Sequence, residues 1–179
     1  MSDVVPLGPR RADGGDEPGR ILVLGRAVAY ATLFVSLALV FLPARILAWS
    51  AVTRPAAIGI GQAAGMSLAA AGAALDLWCV LTFALLGKGT PAPFDPPRRL
   101  VVRGPYRFVR NPMYLGAVLA LAGAALFYGS AALVSYAGVF LLMTHALVVW
   151  YEEPTLRATF GADYDVYCRR VRRWWPRLT

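Results

Sequence analysis

The sequence is poor in lysine, histidine, cysteine and charge of either sign. Among its 179 residues are 18 basic ones, of which only Lys88 is a lysine, 10 acidic ones and one histidine. The two cysteines, Cys79 and Cys168, lie in different segments and have no ligand partners at metal-binding spacing. The sequence therefore predicts neither a disulfide framework nor a metal site.

Apolar residues fill most of the chain and lie in long runs. They make up 58% of the sequence and give a mean hydropathy of +0.55, whereas soluble domains average roughly 45–50% apolar residues. The net charge of +8 comes largely from residues that flank these runs. Because this pattern is typical of a protein at a membrane surface, the expected partner is the lipid bilayer and not nucleic acid.

The length of the apolar runs predicts an all-α membrane protein. A transmembrane helix needs about 20 apolar residues, and four runs approach or exceed that length, at about residues 21–43, 56–86, 112–128 and 131–150. We expect four or five transmembrane helices, the last two forming a helical hairpin. The Gly61–Gly65 spacing in the second run predicts the close approach of another helix.

Polar segments flank these runs, and residues 21–179 are expected to form a single membrane domain. The segments are a mobile tail at 1–20, a loop at 87–111 and an amphipathic interfacial helix at 154–175. They hold most of the basic residues, whereas the opposite side has only Arg45 and Arg54. Both termini are therefore expected in the cytoplasm. The alanine, arginine and glycine bias favours a bacterial inner membrane.

The candidate site lies where the hairpin begins and ends. Antiparallel helices place the segment from Arg110 to Tyr114 beside Glu152 and Glu153. Carboxylates can accept hydrogen bonds from ribose hydroxyls or ammonium groups, and arginine binds carboxylates through two parallel bonds. Such groups suit a zwitterionic nucleoside such as S-adenosylmethionine. On residue types alone, ion pairs between the glutamates and interfacial arginines are the better explanation of the pattern.

An ordered set of motifs in roughly residues 80–179 resembles a known family. The motifs are Leu100-Val101, Gly104-Pro105-Tyr106, Arg110-Asn111-Pro112-Met113-Tyr114, Glu152-Glu153, Phe160-Gly161, Tyr164, Tyr167 and Arg173 through Pro176. The set resembles the integral membrane methyltransferases typified by isoprenylcysteine carboxyl methyltransferase and the phospholipid N-methyltransferases. That family has Arg-His-Pro-x-Tyr before the hairpin and Glu-Glu after it. This chain has Asn111 where histidine is usual, and asparagine cannot titrate.

The resemblance implies an S-adenosylmethionine-dependent methyltransferase with a lipophilic, membrane-soluble acceptor, such as an isoprenylcysteine carboxylate or a phospholipid amine. Catalytic roles fall on Glu153 and Arg110. The expected cofactor-binding residues are Gly104, Tyr106, Arg110, Asn111, Pro112, Tyr114, Leu115, His145, Glu152 and Glu153. The expected acceptor-binding residues are Asp76, Tyr164, Tyr167, Arg170 and Arg173.

Two of these residues are polar groups inside apolar runs. His145 precedes Glu152 by seven residues, which places both on one face of an α-helix; a helix-packing hydrogen bond is the alternative role. Asp76 lies in the second run, where an intramembrane acid indicates a function unless it approaches the interface.

Two other functions are consistent with the same sequence. One is an NADPH-dependent membrane reductase of the sterol reductase type, which resembles this family in its C-terminal region. The other is a non-enzymatic membrane assembly module, which would bind no cofactor. No oligomeric state is predicted.

Overall fold

The computed structural model describes residues 32, 33, 35–82 and 100–177. Within these ranges the chain forms helices and no strand elements, as the sequence predicted. The helices are α1 (Ser36–Trp49, π-helical over Ser36–Phe41), α2 (Ile60–Thr82), a 3₁₀ turn (Gly104–Arg107), α3 (Pro112–Tyr128), α4 (Ala131–Leu147), a π segment (Val148–Glu152), α5 (Glu153–Phe160) and α6 (Ala162–Arg170). The predicted mobile tail at 1–20, the start of the first run and most of the loop at 87–111 lie outside the described residues.

Two of the described helices are long and apolar enough to cross a membrane. They are α2, with a mean hydropathy of 1.6, and the continuous helix Ala131–Phe160, with a mean hydropathy of 2.0. Few residues in their apolar windows are buried inside the protein, 17% and 28% of them respectively. The helices α1 and α3 are apolar but shorter, so spans beyond these two remain a prediction.

Helices α2 and α3 pack against each other through small residues. A Cβ built on Gly72 would lie 2.5 Å from the carbonyl oxygen of Gly116, and one on Gly65 would lie 2.6 Å from the backbone nitrogen of Phe127. The two backbones therefore touch at positions seven residues apart in α2. Gly61 has no atom within 4 Å of its built Cβ, so it takes no part in this packing.

A tight turn joins α3 to α4 and creates the predicted hairpin. Gly129 ends α3 in the left-handed region with φ +58°, which a residue with a Cβ adopts only under strain. The side chain of Ser130 then caps α4 by accepting a hydrogen bond from the Leu133 N–H at 3.3 Å. Helix α1 contacts the hairpin, where the Tyr136 hydroxyl donates to the Ala38 carbonyl at 2.8 Å.

The segment after α4 differs from the single helix expected at 154–175. Helix α5 ends at Gly161, whose φ of +53° breaks the helical path, and α6 begins directly after it. The chain then becomes extended and returns to the start of α3. There Val109 and Arg172 form a parallel bridge, with the Arg110 N–H donating to the Arg172 carbonyl at 2.9 Å.

Candidate functional site

The Glu153 carboxylate lies between two arginines from distant parts of the chain. The Arg173 guanidinium donates from Nε at 2.6 Å and from Nη2 at 2.8 Å, one bond to each carboxylate oxygen. Arg110 Nη1 lies 3.3 Å from Oε1. The Arg110 and Glu153 side chains are only 12% and 11% exposed, so solvent screens this ion pair weakly. The hydrogen bond to Glu153 raises the pKa of Arg173, which keeps its charge.

A second carboxylate meets the start of α3 from the adjacent position. The Tyr114 hydroxyl donates a short hydrogen bond to Glu152, and both residues are half-buried. The Asn111 side-chain amide donates to the Arg173 carbonyl at 3.4 Å. The hairpin thus brings the Arg110–Tyr114 segment and the two glutamates together, and the returning tail closes over them.

Arg110 has one buried donor without an acceptor. Its Nη1 contacts the Cys168 sulfur at 2.6 Å, in addition to Glu153. Its Nε is buried and has no hydrogen-bond partner among the described residues. Leaving a buried guanidinium N–H unpaired costs free energy, so this atom marks a position where an acceptor from a ligand would be favourable.

Buried tyrosines form one wall beside these ion pairs. Tyr164 and Tyr167 pack together with ring centroids 6.2 Å apart, and the Tyr167 hydroxyl donates to the Tyr106 carbonyl at 2.7 Å. Burial raises the pKa of all three phenols above the usual range, so they remain neutral. The wall is therefore aromatic and uncharged.

The remaining cofactor candidates lie around the start of α3. Pro112 is buried and Leu115 half-buried in its first turns. Gly104 begins the 3₁₀ turn with φ +58°, and a Cβ there would lie 2.6 Å from the Thr82 hydroxyl oxygen. Glycine is thus required at this point where the turn approaches the end of α2.

His145 contacts Trp174 in the segment after α6. It is exposed, and its Nδ1 accepts a hydrogen bond from Trp174 Nε1 at 3.0 Å. The chain from His145 to Glu152 passes through the π segment Val148–Glu152. Because a π turn departs from the 3.6-residue period, the seven-residue spacing no longer places the two side chains on one helix face. The contact with Trp174 corresponds to the alternative packing role.

Asp76 lies on the opposite side of α3, in the seam with α2. Its side chain lies against Gly116, where it occupies the position that a Cβ on this residue would need. Its Oδ1 is buried and has no hydrogen-bond partner among the described residues. The neighbouring cluster contains Cys79, Val101 and Tyr106. The structure therefore places Asp76 next to the cluster that contains Tyr106 of the 3₁₀ turn, and the described residues show no hydrogen bond between Asp76 and the glutamates.

Arg170 also lies outside the glutamate cluster. It is exposed on α6, where it lines a groove of about 740 Å³ together with Arg107 and Asp163. Neither Arg107 nor Asp163 had been predicted as a site residue, because the groove forms only when the tail folds back. Cys168 was also missed, although its position four residues after Tyr164 places it on the same helix face.

An Arg-x-Pro-x-Tyr turn thus faces paired glutamates across a helical hairpin. The model of the phospholipid methyltransferase family matches residues 60–163, more than half of the chain. The chain therefore belongs to the phospholipid methyltransferase family, as the sequence motifs indicated. The match includes both glutamates and ends before Arg173. Searches of curated proteins and of solved structures found no match.

Proposed function

We propose that this protein transfers a methyl group from S-adenosylmethionine to a lipophilic acceptor in the membrane. The observation that carries the proposal is the overlap between the family match at 60–163 and the cluster around Glu153. Among the described residues of that match, Arg110 and Glu153 form an ion pair whose side chains are only 12% and 11% exposed, and both come from the motifs that resemble the family.

The residues present fit the cofactor. The buried Arg110 Nε has no acceptor among the described residues and can donate to a carboxylate, and the Glu152 carboxylate is suited to accept from hydroxyl or ammonium groups. When bound, the cofactor supplies a methyl group already activated by a sulfonium centre.

The protein's own contribution is alignment and the exclusion of water. Glu153 fixes both guanidinium groups, since its two oxygens are occupied by Arg173 and Arg110. We therefore assign it a positioning role, with Arg110 in contact with the cofactor. Asn111 ties the tail to α3 through its amide, a task that needs no titratable group and is compatible with loss of the family histidine.

The topology belongs to the same proposal. We infer four spans in one membrane domain, with both termini and the 87–111 loop on the cytoplasmic side of a bacterial inner membrane. The hydropathy of α2 and of Ala131–Phe160 supports two of these spans, and the excess of arginine in the loop and tail supports the orientation. The cofactor then enters from the cytosol and the acceptor from the bilayer.

Calorimetric titration of the purified chain, in detergent and in lipid nanodiscs, tests cofactor binding. We expect saturable binding of S-adenosylmethionine and transfer of its labelled methyl group into a total lipid extract. The absence of both binding and transfer would reject the proposal. Preferential binding of NADPH would instead identify a membrane reductase.

A further inference from the structure

The tail after α6, residues 171–177, lies against an exposed and apolar side of the helix Ala131–Phe160. The Trp174 indole N–H donates to His145 Nδ1 at 3.0 Å, and the two ring centroids are 5.9 Å apart. His145 is exposed, and so are the apolar side chains of Leu142 and Met143 in the preceding turn. Because this helix is apolar and long enough to cross a membrane, the contact places Trp174 at the edge of the bilayer.

Two exposed tryptophans agree with this position. Trp175 is 73% exposed, and Trp150, in the π segment of the same helix, is 81% exposed. Tryptophan is enriched at the level of the lipid headgroups, because its ring is apolar and its N–H is polar. We therefore expect the residues that flank Trp175 to meet the headgroup layer.

Exposed arginines lie in the tail and at the end of α6. Arg169, Arg172 and Arg177 are exposed, and among the described residues none of them takes part in an ion pair. The sequence has no acidic residue after Asp165. This surface therefore carries cations without anions of its own, and its charge is complementary to that of an anionic headgroup layer.

The docked tail brings these cations close to one another. Arg177 Nη1 donates to the Arg169 carbonyl at 2.8 Å, which holds its guanidinium beside the last turn of α6, where Arg169 and Arg170 lie. Like charges held together repel one another unless an anion lies between them, and the repulsion is relieved when the tail detaches. An anionic ligand should therefore bind the docked tail more tightly than the detached one, and so favour docking.

We propose that the end of α6 and the tail form a binding surface for anionic glycerophospholipids without an amine, such as phosphatidylglycerol. Arg169, Arg172 and Arg177 bind the headgroup phosphates, and Trp175 lies among the first methylenes of the acyl chains. This lipid is not a methyl acceptor. It holds the tail docked and thereby keeps Arg173 on Glu153, so the consequence for cofactor binding rests on the proposed function and adds its regulation by the surrounding bilayer.

The aromatic side chains and the charges together favour this occupant. A soluble phosphate would meet the arginines alone, whereas a headgroup in the bilayer is presented at the level where Trp174 and Trp175 lie. A zwitterionic headgroup adds an ammonium group, which unpaired arginines repel. The surface therefore fits an anionic lipid better than a free anion or a zwitterionic lipid.

Native mass spectrometry of the full chain in detergent, with phosphatidylglycerol and phosphatidylcholine of equal chain length, tests the surface directly. We expect phosphatidylglycerol to bind more tightly. Arg172→Gln and Arg177→Gln should each raise its Kd by roughly three- to tenfold, since an arginine near an anionic surface contributes a factor of roughly five. Arg54→Gln is the matched control, because it removes an exposed arginine from the segment between α1 and α2; it should leave Kd within about twofold.

Three results of this titration would overturn the proposal. One is equal affinity for the two lipids. Another is the same Kd for phosphatidylglycerol in Arg172→Gln, Arg177→Gln and Arg54→Gln. The third is competition by glycerol phosphate, at constant ionic strength, that is as strong as competition by the lipid, because it would identify a site for a soluble anion.

Hydrogen exchange at the Arg110 amide tests whether the lipid holds the tail docked, because this N–H donates to the Arg172 carbonyl at 2.9 Å. We expect exchange in nanodiscs that contain phosphatidylglycerol to be roughly three- to tenfold slower than in phosphatidylcholine alone. Arg177→Gln should reduce this difference, and Arg54→Gln should retain it. Equal exchange rates of the unsubstituted chain in the two bilayers would contradict the proposed effect on the tail.

Cofactor titration in the same nanodiscs separates this inference from the proposed function. Slower amide exchange with phosphatidylglycerol, but no S-adenosylmethionine binding in either bilayer, supports the lipid surface and rejects the methyltransferase. Binding of S-adenosylmethionine with equal amide exchange in the two bilayers supports the methyltransferase and rejects the lipid surface.

Discussion

At the residue scale, the Glu153 carboxylate forms ion pairs with two arginine side chains, those of Arg110 and Arg173. Arg110 is almost fully withdrawn from solvent, while Arg173 is 30% exposed. Removal of one partner of a buried ion pair leaves the other charge without compensation, and this costs more than the pair itself contributes. Loss of the Glu153 carboxylate should therefore lower both the free energy of unfolding and the affinity for S-adenosylmethionine.

We expect Glu153→Gln to lower the free energy of unfolding by about 1–3 kcal/mol, a range reduced from that of a fully buried pair because Arg173 is partly solvated. The affinity for S-adenosylmethionine should fall as well, because Arg110 loses its fixed position. Thermal unfolding in detergent and calorimetric titration measure the two effects.

Asp165→Asn is the control for this variant. It breaks the ion pair between Arg157 and Asp165, whose side chains are 54% and 44% exposed, and such exposed pairs contribute little to stability. Equal losses of stability in Glu153→Gln and Asp165→Asn would contradict the assignment of a special role to Glu153.

Two tyrosine hydroxyls allow a matched comparison between the site and the opposite end of the hairpin. Tyr114→Phe removes the donor to Glu152, and Tyr136→Phe removes the donor to Ala38. Each should cost about 0.5–1.5 kcal/mol of stability. Only Tyr114→Phe should weaken S-adenosylmethionine binding, and a similar Kd for the two variants would remove Glu152 from the cofactor site.

At the element scale, the seam between α2 and α3 depends on the absence of side chains at a few positions. Gly72→Ala should destabilise the protein, because its Cβ would lie 2.5 Å from the Gly116 carbonyl oxygen and the helices would have to separate. Gly61→Ala, in the same helix, has open space and should leave stability unchanged or raise it by up to about 1 kcal/mol. Unfolding in detergent compares them, and equal destabilisation would contradict the packing described.

The sequence predicts these elements to different degrees. The meeting of Arg110 with Glu153 follows from apolar runs joined at a short Gly129-Ser130 turn, because antiparallel helices must place those ends side by side. The packing face of α2 could not be predicted from the sequence in the same way. The Gly61–Gly65 spacing describes α2 alone, whereas the face that packs also depends on which residues of α3 lie opposite it. Which glycines touch is a property of the pair of helices.

The return of the tail was also beyond sequence reasoning. The bridge between Val109 and Arg172 is an isolated contact between backbone groups. Because such a contact does not depend on residue type, no sequence pattern predicts it. Tyr164 and Tyr167 lie on a buried face of α6, as their spacing predicted, but Val171 follows the helix in extended conformation and Gly161 breaks the single helix expected there. The groove residues Arg107 and Asp163 consequently had no signal in the linear sequence.

At the scale of the whole molecule, the site is assembled from two parts that are distant in sequence. The turn before α3 and the first residues of α3 provide Arg110 and Tyr114, the end of the π segment and the start of α5 provide the two glutamates, and the tail provides Arg173. A chain that ends at Arg170 should retain helical circular dichroism but lose S-adenosylmethionine binding, because Arg173 and the Arg172 carbonyl are absent. A chain that ends at Pro176 is the control. Retained affinity in the shorter chain would contradict a role for the tail.

The Val109–Arg172 bridge also determines how the protein comes apart. Among the described residues, the segment after α6 is held to the elements outside α6 by one backbone hydrogen bond to Arg110, the Asn111 amide, the Arg173 ion pair with Glu153 and the hydrogen bond from Trp174 to His145, whereas α2 and α3 contact along their lengths. Segments with few attachments open at lower free energy than the rest of a structure. We therefore expect residues 171–177 to detach while the helices remain folded. The rate of hydrogen exchange at the Arg110 amide measures how often they detach.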